Sequence, residues 1–106
     1  MDKGINKIIN RYIVHLKQSD LHFERVFLFG SYAKKKQSAY SDIDLAFIFD
    51  GKTPLDYFDL QVQMLILASD IDTRIEPHPI SSDDFTPENP LAYEILSTGK
   101  EIPLDQ

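Results

Sequence analysis

The sequence lacks cysteine, has fewer basic than acidic residues, and contains no long hydrophobic run. The absence of cysteine excludes disulfide bonds and zinc sites with cysteine ligands. Acidic residues number 17 against 11 basic ones, and the net charge of −6 argues against a broad electrostatic interaction with nucleic acid. No segment has the length of a membrane span, and the N-terminal segment has no continuous apolar stretch like that of a signal peptide. We therefore expect a cytoplasmic protein that binds neither a membrane nor nucleic acid directly.

The remaining composition is that of a small globular protein. The chain has 106 residues, which predicts a single domain over 1–106 with a modest core of two packed layers. Apolar residues recur at helical spacing over residues 3–18 and predict an amphipathic helix. Three short segments predict strands, at 24–29, 42–49 and 71–77. We expect Pro77 and Pro79 to stop the third strand, because proline lacks the backbone N–H of a sheet hydrogen bond.

Two further helices are predicted after the second and third strands. Thr53 fits the N-cap of the first, with Pro54 and Asp56 in its opening turn, and its apolar spacing extends to about residue 69. Asn89-Pro90 opens a short final helix, which we expect Gly99 to end in the left-handed conformation. This order of elements predicts an α/β or α+β fold, with a small sheet covered by helices.

The second strand has acidic residues at its start and apolar residues after them. Odd positions from 43 to 49 share one apolar face, while Asp42 and Asp44 lie on the other face, about 6.5 Å apart at Cα. Aspartate is disfavoured in strands, and such exceptions concentrate at functional sites. Two carboxylates at this spacing can bind a hard cation such as Mg²⁺. In the alternative interpretation, Asp42 only ends a turn and Asp44 faces water. The phenylalanines of both strands, together with Phe58, fit a core stripe.

Gly30-Ser31 lies where the first strand ends. Glycine lets the backbone approach a ligand closely, and the N–H groups of such a turn together with the Ser31 hydroxyl can bind a phosphate. In the alternative interpretation Gly30 only makes the turn and Ser31 caps a short helix after it. A third acid would complete a metal site, and Glu76 and Asp72 share the same parity on the third strand. We prefer Glu76 for its longer reach, because Asp72 lies at a polar entry where a turn residue suffices.

The spacing of these motifs resembles a known family. Gly30-Ser31, ten intervening residues, and then Asp42-Ile43-Asp44 is similar to the motif of the DNA polymerase beta-like nucleotidyltransferase superfamily. The sequence most resembles the minimal nucleotidyltransferases, which are the antitoxins of HEPN/MNT toxin–antitoxin pairs. The segments "RIEPHPIS" and "NPLAYEILSTGKEI" also resemble stretches of these proteins, so the likeness covers about residues 20–103.

The resemblance implies a fold, an activity and a partner. The fold would be a mixed three-stranded sheet packed against helices. Asp42, Asp44 and Glu76 would be the catalytic acids and would bind Mg²⁺, as two ions, while Gly30 and Ser31 would bind ATP. The reaction would transfer AMP to a tyrosine hydroxyl on the cognate HEPN ribonuclease toxin, with Glu76 helping to deprotonate that hydroxyl. A hetero-oligomer with the toxin would result.

The sequence departs from the family pattern in two places. Lys34, Lys35 and Lys36 stand where many relatives have an arginine and a glycine, and they would bind either phosphate or an acidic partner surface, or lie in a solvated turn. Glu76 replaces an aspartate of many relatives, and His78 beside it is a further candidate for contact with nucleotide or acceptor. Two other functions stay open: a nucleotidyltransferase that modifies a small molecule such as an antibiotic, and a catalytically silent antitoxin that neutralises its toxin by contact.

Overall fold

Alternation of apolar side chains along one strand places two hydrophobic layers on opposite faces of a single sheet. The computed structural model describes residues 3–38, 41–52 and 54–104. The helices are α1 (Lys3–Gln18), α2 (Tyr57–Ser69) and α3 (Pro90–Thr98), and the strands are β1 (Arg25–Phe29), β2 (Ile43–Phe49), β3 (Ile75–Ser81) and β4 (Lys100–Ile102). The sheet order is β3-β2-β1-β4; β1 runs antiparallel to β2 and β4, and β2 runs parallel to β3. The predicted mixed α/β class is confirmed.

The two faces of β2 pack as the alternation predicts. Leu45 and Phe47 belong to the larger core, which α1 and α2 cover, and Tyr12 of α1 packs edge-on against Phe47. The Tyr12 hydroxyl donates a hydrogen bond to the backbone oxygen of Met64 at 2.8 Å and so joins α1 to α2. On the other face, Ala46 and Ile48 form a smaller core with Ile95 of α3 and the two phenylalanines of β1. The second face is therefore covered by only one short helix.

The third strand was expected at 71–77, ended by its prolines, and this prediction is wrong. β3 runs from Ile75 to Ser81 and contains both Pro77 and Pro79. β3 lies at the edge of the sheet, and its backbone bonds to β2 through the even-numbered positions. The series begins just before β3, where the N–H of Ile43 donates to the oxygen of Arg74 at 2.8 Å. The oxygen of Pro77 instead accepts from the Gln61 side chain at 3.0 Å. Both prolines thus lie where their missing N–H would point to the open edge, which the sheet tolerates.

The ends of α2 and α3 also differ from the predicted ones. Asp56 is the N-cap of α2 and its side chain accepts from two backbone N–H groups, whereas the expected cap, Thr53, lies outside the described residues. Gly99 follows α3 as expected, but its φ of −76° and ψ of 165° are extended, not left-handed. The chain enters β4 directly after it, so an extended residue is needed. A Cβ atom at Gly99 would lie 2.5 Å from the oxygen of Ile95, which explains the glycine.

The sheet has a fourth strand that the sequence analysis did not predict, and α2 turns a different face to the core than expected. β4 has only three residues, which pair with β1 and carry no alternating apolar pattern. In α2 the buried residues are Leu60, Met64 and Ala68, while Phe58 is 75% exposed. The prediction that Phe58 joins the core is therefore wrong. None of the described helices is long and apolar enough to cross a membrane.

Candidate active site

The acidic residues of the sheet come together because of its strand register. Asp44 of β2 is paired with Phe29 of β1 on one side and with Glu76 of β3 on the other. Paired residues on neighbouring strands lie about 4.8 Å apart and point to the same face. Asp42 precedes β2 by one residue and shares the parity of Asp44, so all three acids are associated with the face that α3 partly covers. We call Asp42, Asp44 and Glu76 the acidic row.

Gly30 ends β1 in direct contact with the acidic row. Its φ is +73°, in the left-handed region where side chains are strained. A Cβ atom here would overlap Oδ2 of Asp44 and lie 3.2 Å from its Cγ. Two features therefore require glycine at position 30: the backbone conformation and the carboxylate packed against it. The Gly30 backbone and the Asp44 carboxylate form one compact unit.

The turn after Gly30 leaves polar groups available for an anion. The N–H of Lys34 donates to the oxygen of Gly30 at 3.1 Å, and that of Lys36 to the oxygen of Ser31 at 2.9 Å, which fixes a tight polar turn. Within the described part of the chain, the partly buried hydroxyl of Ser31 has no hydrogen-bond partner. A hydroxyl without an internal partner in a tight turn can donate to a phosphate oxygen. The structure thus places Gly30 beside Asp44, with Ser31 next to it in the chain.

The carboxyl group of Asp44 has a raised pKa. Burial is the main cause that raises the pKa of its carboxyl group, and the charges of Asp42 and Glu94 raise it further. Nε2 of His78 lies 3.3 Å from Oδ1 of Asp44, and this contact opposes the rise. Lys34 approaches Glu94 at 3.6 Å. Negative charge therefore accumulates around a partly desolvated carboxylate, an arrangement typical of cation-binding and catalytic sites.

The register distinguishes the two candidates for a third acid by position. Glu76 lies directly beside Asp44, whereas Asp72 precedes β3 and forms a two-pronged ion pair with Arg74 at 2.9 and 3.1 Å. Hydrogen bonding to Arg74 lowers the pKa of Asp72. Arg74 also donates to the Tyr32 hydroxyl at 3.3 Å and so ties this turn to the one after Gly30. The charge of Asp72 is already compensated by its ion pair, whereas Glu76 is the acid next to Asp44.

The acidic row suits a hard cation by its donor chemistry. Asp44 pairs with Glu76 across two strands, Asp42 lies just before β2 with the same parity, and the charge of Asp42 adds to the rise that burial causes in the pKa of Asp44. Among the described residues, no three His, Cys, Asp or Glu side chains are drawn together closely enough to hold a metal ion by themselves. Mg²⁺ is usually bound by one or two carboxylates together with waters and substrate phosphates. The residues present therefore fit Mg²⁺ that arrives with a nucleotide.

Sequence reasoning missed one residue of this site and left another open. Glu94 of α3 affects the Asp44 carboxyl and contacts Lys34, but no motif marks it. It lies in the segment "NPLAYEILSTGKEI", whose resemblance to the family assigned it no role. His78 is now placed: it touches Asp44 and packs edge-on against Phe29, with ring centroids 5.0 Å apart. Of Lys34, Lys35 and Lys36, Lys34 alone has a side-chain contact with the site among the described residues, to Glu94.

A family model described as polymerase beta, nucleotidyltransferase, matches residues 11–104. No curated protein matches the chain.

Solved structures share the fold. A mutant of the toxin–antitoxin MntA-HpeT is 23% identical with a TM-score of 0.61, over 92% of this chain and 72% of that one. A toxin–antitoxin with AMP-PNP is 22% identical with a TM-score of 0.58, over 91% and 73%. A Sulfolobus solfataricus protein assigned as a nucleotidyltransferase is 24% identical with a TM-score of 0.57, over 74% and 68%.

Proposed function

The chain belongs to the polymerase beta nucleotidyltransferase family, and we propose that it transfers AMP from ATP to a tyrosine hydroxyl of a HEPN ribonuclease toxin, as the antitoxin of that toxin. The observation that carries the proposal is the contact between Gly30 and the acidic row, where a turn suited to phosphate binding lies against the carboxylate of a strand residue. The likeness to a toxin–antitoxin and to a toxin–antitoxin with AMP-PNP supports the partner and the nucleotide.

Each group of the site has a role in this reaction. Ser31 and the N–H groups of its turn bind phosphate oxygens of ATP, and Lys34, now paired with Glu94, adds positive charge at the edge. Asp42, Asp44 and Glu76 would hold Mg²⁺, which when bound offsets the charge of the triphosphate and of the leaving group. His78 holds the Asp44 carboxylate in one orientation through its 3.3 Å contact.

The transfer itself is a substitution at the α-phosphorus of ATP. The tyrosine oxygen forms a bond to that phosphorus, and the bond from phosphorus to the bridging oxygen of the β-phosphate breaks. Pyrophosphate leaves with the electron pair of the broken bond. The hydroxyl proton passes to the carboxylate of Glu76, which lies beside Asp44 on the neighbouring strand. The products are the AMP-tyrosine ester and pyrophosphate.

The experiment combines the chain, Mg²⁺, ATP labelled at the α-phosphate, and the HEPN-type protein encoded beside it. We expect label on that protein with the wild-type chain, and at least a 100-fold slower transfer with Asp42→Asn or Glu76→Gln. The matched control is Asp72→Asn, because Asp72 has the same parity as Glu76 but is held by Arg74. It should transfer within about threefold of wild type.

Three other outcomes would contradict the proposal. Neutralisation of the toxin without any label, and unaffected by Asp42→Asn, would make the chain a silent binding antitoxin. Label on an aminoglycoside, with none on the protein, would make it a small-molecule enzyme. Full activity of Glu76→Gln together with loss of activity in Asp72→Asn would exchange the roles of the two acids.

A further inference from the structure

A groove opens beside the acidic row, between α2 and α3. It has a volume of about 340 Å³ and is lined by Tyr57, Phe58, Gln61, His78, Pro79 and Leu91. His78 belongs both to this groove and to the candidate site, because its Nε2 lies 3.3 Å from Asp44. The groove therefore adjoins the candidate site at His78. We call it the β3 groove, since Pro79 of β3 contributes to its floor.

Apolar side chains at the mouth of the β3 groove are exposed. Phe58 is 75% exposed, and Leu91, on the opposite wall, is 36% exposed. Phe58 and Val62 lie four residues apart on the same side of α2, and Val62 is 42% exposed, so the apolar surface continues from the groove along the helix. Apolar patches that adjoin a polar site on a small protein mark sites of interaction.

The charge around the groove is negative. Burial raises the pKa of the Tyr57 hydroxyl, and the charges of Asp50, Asp84 and Asp83 raise it further, so three carboxylates act on this residue of the groove. Glu94, three residues after Leu91 on α3, adds a carboxylate that is paired with Lys34 at 3.6 Å. Among the described residues that line the groove, none is lysine or arginine. A segment that binds here must therefore combine apolar side chains with basic ones.

From this arrangement we infer that the β3 groove docks the acceptor segment of the partner protein, a segment with an apolar anchor, flanking lysine or arginine, and the hydroxyl that receives AMP. The inference rests on the proposed function and extends it. The anchor packs between Phe58 and Leu91, the basic side chains face the acids at the rim, and the hydroxyl passes His78 to reach Asp44. Docking at the groove thereby selects the acceptor.

The test uses Phe58→Ser, and the matched control is Tyr93→Ser. Both are exposed aromatic residues, at 75% and 60%, so neither change should disturb folding. Tyr93 lies two residues from Leu91 on α3, about 200° around the helix, and so faces away from the groove. Calorimetry measures the Kd of the purified HEPN-type protein for each variant, and initial rates give kcat and KM for the AMP transfer. A thermal melt and AMP-PNP binding check that fold and nucleotide site are intact.

We expect Phe58→Ser to raise the Kd and the KM for the protein acceptor about tenfold or more, while kcat and AMP-PNP binding stay unchanged. Tyr93→Ser should change each of these quantities by less than about twofold. The affinity of the wild type should fall as salt is added, because the rim attraction is screened. An unchanged Kd for Phe58→Ser while the wild type transfers AMP would overturn the docking inference and leave the proposed function standing. A raised Kd with no AMP transfer by the wild type would overturn the proposed function, and with it the acceptor role of the segment, while the docking of the partner at the groove would stand. If the chain alone sediments as a dimer and Phe58→Ser dissociates that dimer, the groove is the interface with a second copy and the inference is overturned.

Discussion

The contact between Gly30 and Asp44 makes Gly30→Ala the most informative substitution in this chain. Alanine at a φ of +73° costs about 1–2 kcal/mol of backbone strain, offset in part by about 0.4–1 kcal/mol from the lower entropy of the unfolded chain. The new Cβ would overlap Oδ2 of Asp44, so the carboxylate must leave its rotamer at a cost of about 0.5–1.5 kcal/mol. The expected total is about 2 kcal/mol, or roughly 8–16 °C in melting temperature.

A double-mutant cycle separates the two costs, measured as the free energy of unfolding in urea. Against an Asp44→Ala background the carboxylate is absent, so Gly30→Ala should cost only about 1 kcal/mol, the backbone part. Gly51→Ala is the matched control: its Cβ would also meet a carboxylate, Asp83, but Asp83 is exposed and free to turn away. It should cost less than about 0.5 kcal/mol.

The same substitution should slow AMP transfer by about 100-fold, because it displaces Asp44 from the position that the turn and His78 define. Two results would refute the reasoning. If Gly30→Ala costs the same with and without the Asp44 carboxylate, the two groups do not touch in solution. If it costs no more than Gly51→Ala in both backgrounds, Gly30 does not adopt the left-handed conformation.

Two further predictions concern charged groups. Asp44→Asn removes a partly buried carboxylate that Asp42 and Glu94 repel, so it should raise the melting temperature by about 2–4 °C while AMP transfer is lost; a lower melting temperature would contradict the account of the site. Arg74→Ala should lower the free energy of unfolding by about 0.5 kcal/mol at neutral pH. Arg74 holds the pKa of Asp72 in the folded protein below its ordinary value of 3.8. The stabilisation from this ion pair is therefore complete above pH 3.8 and is lost as the pH falls through the lower pKa of the folded state. The free energy of unfolding in urea should therefore differ less between variant and wild type at a pH below both pKa values than at neutral pH. A difference that does not change with pH would contradict an ionic role for this pair.

Local patterns in the sequence were sufficient to predict much of the fold. Helical spacing predicted α1, and strict alternation predicted which residues of β2 face each layer, because both depend on periodicity within one segment. Predictions failed where contacts between distant segments decide. β3 accommodates Pro77 because it lies at the sheet edge, and Phe58 is exposed because the sheet packs against the opposite side of α2. A helix that is apolar on all sides does not reveal by its own spacing which face will be buried.

The candidate site divides in the same way. The sequence by itself determined the Gly30-Ser31 turn, the placement of Asp44 on one face of a strand with Asp42 at the same parity just before it, and the spacing that resembles the family. Only the tertiary structure decided that Gly30 touches Asp44 and that Glu76 lies beside it. The physical reason is that parity within a strand follows from local backbone geometry, whereas register between strands is set by which apolar faces pack together across the whole sheet.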